Sequence, residues 1–64
     1  SIFKIDFYFE NGELSCKGLY VNHLQHGLHE SYWLGGRIHY IGNFDMDKKI
    51  GLWIENSRKT FYAN

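Results

Sequence analysis

Proline is absent from this chain of 64 residues, and cysteine and methionine occur once each. Cys16 alone cannot form an internal disulfide, so no covalent framework supports the fold, and a compartment that is reducing or indifferent is expected, with the cytoplasm as the default. Net charge is missing as well, because seven Lys and Arg balance seven Asp and Glu. Without a basic stripe the chain carries no electrostatic footprint for nucleic acid. Its cations, Lys4, Lys17, Arg37, Lys48, Lys49, Arg58 and Lys59, are scattered, whereas anionic lipid recognition calls for about four to eight clustered ones. No apolar run approaches the roughly 18 residues of a spanning helix, so no integral membrane segment is expected. A chain this short buries only about 60% of its unfolded surface. One small domain over residues 1–64 is therefore expected, supported by a homodimer, a hetero-complex or both.

Aromatics and glycine are plentiful: two Trp, five Tyr, five Phe and seven Gly. Aromatic residues favour strands and regularly placed glycines mark turns and bulges, which reads as all-β. Sliding the sequence along itself until Gly12 meets Gly36 also superposes Gly18 on Gly42 and Gly27 on Gly51. The same shift lays Tyr8 on Tyr32, Phe9 on Trp33, Leu14 on Ile38, Tyr20 on Phe44 and Leu28 on Leu52. The chain thus divides into repeat units at about 3–26 and 27–50 and a partial third at 51–64. Each unit reads as a hairpin, giving about five or six strands. Asn11-Gly12 and Gly35-Gly36 are the dipeptides of two-residue type I′ turns, while Asn22–His26 and Asp45–Ile50 read as looser polar connections.

In that register Phe9 faces Leu14, Phe7 faces Cys16, Ile5 faces Gly18 and Phe3 faces Tyr20 on one side of the sheet. Tyr8 and Ser15, Lys4 and Leu19, and Asp6 and Lys17 occupy the other. The second hairpin repeats the scheme, with His29 against Gly42 and Trp33 against Ile38 on the first side, and Tyr32 against His39 on the second. Gly18 beneath Ile5 and Gly42 beneath His29 are expected to leave space for the side chain across the strand. The six glycines Gly12, Gly18, Gly27, Gly36, Gly42 and Gly51 are accordingly structural turn or bulge positions.

These residues resemble a MORN repeat in its bacterial variant. The resemblance rests on Tyr8-Phe9-Glu10-Asn11-Gly12-Glu13-Leu14, Lys17-Gly18-Leu19-Tyr20 and Gly27-Leu28. The second copy is Tyr32-Trp33-Leu34-Gly35-Gly36-Arg37-Ile38, Ile41-Gly42-Asn43-Phe44 and Gly51-Leu52-Trp53, so the match spans residues 7 to 56. The connections Asn22–His26 and Asp45–Ile50 depart from the pattern by lacking its usual glycine. The resemblance implies a single-layer antiparallel meander of repeated hairpins. It also implies service as a scaffold or protein-binding surface; many bacterial members carry an antitoxin-component label, and lipid binding has been proposed for some.

A single sheet cannot bury its own apolar face, so exposed aromatics and the proline-free strand Ile2–Phe9 predict a protein partner. Tyr8, Leu19, Leu28, Tyr32, His39 and Ile41 are the candidate partner-binding residues of the second side, with Tyr8 and Tyr32 at equivalent repeat positions. His23, His26 and His29 are three apart, but their repeat counterparts Asp47, Ile50 and Trp53 encode no ligand set, so no metal is expected. His29, on the apolar side with Ser31, reads as a neutral structural histidine. No nucleophile elbow or phosphate-binding loop is present, and a single sheet encloses no ligand-sized pocket. The sequence therefore predicts a non-enzymatic, cofactor-free interaction module. Its roles would be inhibitor, antitoxin-like neutraliser or adaptor, with self-assembly through sheet edges or peripheral lipid or small-ligand binding as alternatives.

Overall fold

The computed structural model describes residues 1–63 and contains six strands. They are β1 (Ile2–Tyr8), β2 (Leu14–Val21), β3 (Leu24–Tyr32), β4 (Ile38–Asp45), β5 (Lys48–Glu55) and β6 (Arg58–Tyr62). They form one antiparallel sheet in the order β1-β2-β3-β4-β5-β6, an all-β meander with no helix among the described residues. The sheet is one layer thick, 36 × 31 × 10 Å, and β1 and β6 are its free edges.

The expected register holds from Phe3↔Tyr20 to Phe7↔Cys16 and from Gly27↔Phe44 to Ser31↔Tyr40. Near each glycine turn it then slips by one residue, pairing Tyr8 with Leu14 and Tyr32 with Ile38. Ser15 and His39, which match one another under the repeat shift, are the inserted residues of these two bulges. The cause lies in the turns, which are not the expected two-residue type I′. Phe9 accepts a bond from the Gly12 amide (2.9 Å) and donates to the Glu13 carbonyl (2.8 Å), leaving three residues in the loop; Trp33, Gly36 and Arg37 repeat this at 3.0 and 2.8 Å. Asn11 keeps a negative φ and its side chain accepts the Glu13 amide at 2.9 Å, so only Gly12 (φ 90°) carries the left-handed step.

The type I′ turns stand instead at the polar connections. Val21 pairs directly with Leu24, Asp45 with Lys48 and Glu55 with Arg58, so each link is two residues long. Asn22 and His23 (φ 51° and 69°), Met46 and Asp47 (46° and 73°) and Asn56 and Ser57 (49° and 69°) supply the paired positive φ angles. Asn22, His23, Asp47 and Asn56 are of types that tolerate that region, and the twist of a type I′ turn, which also holds Met46 and Ser57 there, matches that of the strands it joins. Glycine is needed one turn later. Between Gly18↔His29 and Leu19↔His26, strand β3 carries the two extra residues Gly27 and Leu28; β5 carries Gly51 and Leu52 likewise. Gly27 (φ 74°) and Gly51 (φ 71°) provide the left-handed kink.

Candidate interaction surface

The two faces differ in chemistry. One bears a ladder of rings crossing all six strands: Phe3–Tyr20 (5.7 Å between centroids), Tyr20–His29 (5.3 Å), His29–Phe44 (5.0 Å), Phe44–Trp53 (5.0 Å) and Trp53–Tyr62 (6.1 Å). Apart from the first, stacked pair, these meet edge to face, the arrangement ring quadrupoles favour. The fold's small core lies here, since Phe44, Trp53 and His29 are the buried large side chains.

Gly18 and Gly42 make this ladder possible, but they serve a different neighbour from the one expected. A Cβ on Gly18 would stand 2.2 Å from the His29 ring on β3, and one on Gly42 would stand 2.1 Å from the Trp53 ring on β5. Each glycine therefore makes room for the strand that follows, and not for Ile5 or His29 on the strand before. His29 Nε2 lies 2.9 Å from the Leu19 carbonyl, which only accepts, so this nitrogen carries the proton. Trp53 Nε1 donates at 3.1 Å to the carbonyls of both Asn43 and Ile50. Leu19 and Asn43 are themselves repeat counterparts, so ring, glycine and acceptor all recur together.

A charged cover completes the Trp53 site. Lys49 Nζ sits 4.8 Å above the Trp53 ring and 5.2 Å above that of Tyr62, and bonds Glu55 at 2.7 Å. The Tyr62 hydroxyl donates to Glu55 at 3.0 Å. The Glu55 bond holds the Lys49 ammonium's pKa above its ordinary value, and Lys49 together with Tyr62 and Thr60 holds the Glu55 carboxyl below its own.

The opposite face is aliphatic. Five of the six predicted partner-binding residues share it: Tyr8, Leu19, Leu28, Tyr32 and Ile41. Leu19 and Leu28 floor a shallow trough walled by Lys4, Asp6, Lys17 and Glu30, an apolar strip with charge of both signs at its rim. The Tyr32 hydroxyl donates to Glu30 at 2.6 Å, and this bond raises the phenol's pKa. His39 is the exception. As a bulge residue it turns to the ring side, where it lies 4.0 Å from Trp33 and 3.4 Å from the Ser31 hydroxyl. The bulges also carry Leu14 and Ile38, expected among the rings, to the aliphatic face beside Tyr8 and Tyr32. Leu52, the repeat counterpart of Leu28, belongs there too and is equally exposed, at 57% against 50%. The repeat shift already marks that equivalence in the sequence.

The three spaced histidines part company. His23 lies edge-on to Phe3 at 5.9 Å, His26 accepts the Met46 amide at 3.3 Å, and His29 is enclosed in the ladder. Among the described residues no three His, Cys, Asp or Glu side chains converge as a ligand set. Comparison with family models, with curated proteins and with solved structures returned no match.

Proposed function

We propose that this chain is a non-catalytic protein-interaction module of MORN-like build, docking a partner protein on its aliphatic face in the manner of a small inhibitor, antitoxin-like neutraliser or adaptor. The observation that carries the reading is the imbalance between exposed and buried apolar groups. Phe44 and Trp53 are the only buried hydrophobic side chains among the described residues, while ten large ones, from Ile2 to Phe61, stand exposed on a sheet without a second layer. Domains ordinarily bury a sheet face against another layer, and uncovered patches of that kind mark interaction sites. The depression above Gly18 holds only about 40 Å³, and the wider ones, of about 320 to 450 Å³, lie open to solvent, which supports surface recognition over substrate enclosure.

Leu28 and Leu52 project from equivalent bulges of β3 and β5 and are not needed by the ring core, so they make the test clean. The double variant Leu28→Asp, Leu52→Asp is expected to melt within a few degrees of the parent chain. It should also release a protein that the parent chain retains through purification from its native host. Equal retention by both chains would remove the aliphatic face from the interaction.

A further inference from the structure

Strand β1 has a single neighbour, β2, and its exposed edge carries a self-complementary order of residues: Ile2-Phe3-Lys4-Ile5-Asp6-Phe7-Tyr8. Reading outward from Ile5 in either direction meets one charge, then one phenylalanine, then one large apolar or aromatic residue, with the two charges opposite in sign. We propose that two copies of this chain pair β1 to β1 about a two-fold axis through Ile5, forming one continuous twelve-strand sheet (two copies of the six-strand meander).

The backbone determines which residues face outward. The Ser1 carbonyl accepts from Asn22 and the Phe9 amide donates to Glu13, both toward the β2 side. Hydrogen-bonding direction alternates along an antiparallel strand, so the amides and carbonyls of Ile2, Lys4, Asp6 and Tyr8 point away from β2. A second β1 must match outward residues with outward residues, and the symmetric registers that do so over most of the strand are those centred on Lys4, Ile5 or Asp6. Centring on Lys4 opposes two ammoniums, and centring on Asp6 opposes two carboxylates. Centring on Ile5 sets each Lys4 against Asp6 of the second copy, Ile2 against Tyr8, and Phe3 against Phe7. The last of these are close, non-hydrogen-bonded pairs on the aromatic face.

Lys4 and Asp6 are free for this role. The ion pairs among the described residues are His26–Asp45 and Lys49–Glu55. Phe7, Tyr8 and Ile2 are 58%, 63% and 71% exposed, and the edge carries none of the proline or inward charge that blunts edges elsewhere. The other edge offers less. The two-residue turn before β6 leaves Lys59 and Phe61 outward, and no self-paired register of β6 opposes unlike charges. A head-to-tail joint of β1 to β6 makes one such match, Asp6 with Lys59, and leaves Lys4 beside Phe61. It also fails to close, so it would build open chains of molecules. The inference is independent of the aliphatic-face reading, because the two-fold joint runs along an edge and leaves Leu28 and Leu52 uncovered.

Two charge variants and their mixture test it by light scattering across a range of concentrations. The parent chain is expected at the mass of two copies. Lys4→Glu, which lines the joint with carboxylates only, and Asp6→Lys, which lines it with ammoniums only, should each raise the dissociation constant about ten-fold or more. Mixed one to one, the two variants restore unlike charges at every facing pair and should return to the mass of two. That rescue also answers a failure of either variant to fold alone, since it appears only if both fold and pair. A parent chain that stays single, a dimer indifferent to both substitutions, or masses that climb beyond two with concentration through the β1–β6 joint would each overturn the proposal.

Discussion

His29 and Trp53 occupy the same position in successive repeats, each lying across a glycine of the preceding strand and each bonded to the carbonyl that follows that glycine. Their surroundings differ. Around Trp53 stand Tyr40, Phe44, Tyr62 and the Lys49–Glu55 pair, and the ring is wholly inaccessible. Around His29 the positions matching Tyr40, Lys49 and Glu55 are held by Cys16, Gln25 and Ser31, and Cys16 and Gln25 line the open depression above Gly18. The same backbone device therefore supports a closed aromatic core in the C-terminal half and a partly filled one in the N-terminal half. Stability is expected to be unequal along a sheet whose strands touch only their neighbours, as it is in other repeat architectures.

The sharpest way to break this comparison is to add one methyl group to each glycine. In Gly42→Ala the new Cβ would overlap a Trp53 ring that Tyr40, Phe44 and Tyr62 prevent from retreating, so a loss of about 3 kcal/mol is expected, at the upper end for overpacking. In Gly18→Ala the His29 ring can swing into the depression beside it, giving up its bond to Leu19, and the loss should be about 1 kcal/mol. Urea midpoints of the two variants measure the difference. Equal losses would mean that the two rings are held equally tightly.

Much of this arrangement is legible in the sequence. The repeat period locates the strands, and alternation places Tyr8, Leu19, Leu28, Tyr32 and Ile41 on one face. What the sequence hides is where residues are inserted. Asn11-Gly12 and Gly35-Gly36 have the composition of two-residue turns, yet each closes a three-residue loop, in which the Asn11 side chain also accepts the Glu13 amide in the first hairpin. The bulge beside each loop carries Leu14 in the first hairpin, and Ile38 and His39 in the second, to faces opposite those that simple alternation assigns. Asn22-His23 and Met46-Asp47 conceal tight turns for the converse reason. Their left-handed conformations are selected by strand twist, against a modest intrinsic preference that composition alone would follow. Glycine spacing announces the repeat, whereas the ring each glycine accommodates emerges only from three-dimensional pairing, since Gly18 lies in register with both Ile5 and His29.

If the N-terminal half is an underfilled copy of the C-terminal one, completing it should stabilise the chain. His29→Trp puts the Trp53 side chain over Gly18, with the Leu19 carbonyl as acceptor and Cys16 and Gln25 leaving space where Tyr40 and Lys49 crowd the original. The extra apolar area is expected to contribute about 1 kcal/mol, raising the melting temperature by about 4–8 °C in a domain of this size. A fall in melting temperature would show that the two sites differ in backbone geometry and not only in what lines them.

The smallest expected effect isolates the charged cover, which exists in the C-terminal half alone. Its bonds to Lys49, Tyr62 and Thr60 depress the pKa of Glu55 in the folded chain below the ordinary 4.5. A depressed carboxylate stabilises the fold at pH values above its unfolded pKa, and that contribution fades as the pH falls through the lower, folded value. Once the pH falls through that lowered value the cover should therefore loosen, releasing Lys49 from above Trp53 while the glycine seat and the two carbonyl acceptors remain. In a Trp33→Phe background, quenching of the remaining tryptophan by acrylamide should rise with acidification in the parent sequence. With Glu55→Gln it should stand at the higher level at neutral pH and change little on acidification. Because the pair is partly exposed and screened by water, the melting temperature should hardly move at neutral pH. Quenching that follows acid identically in both chains would mean that the neighbouring rings alone, without the Lys49–Glu55 bond, keep water from Trp53.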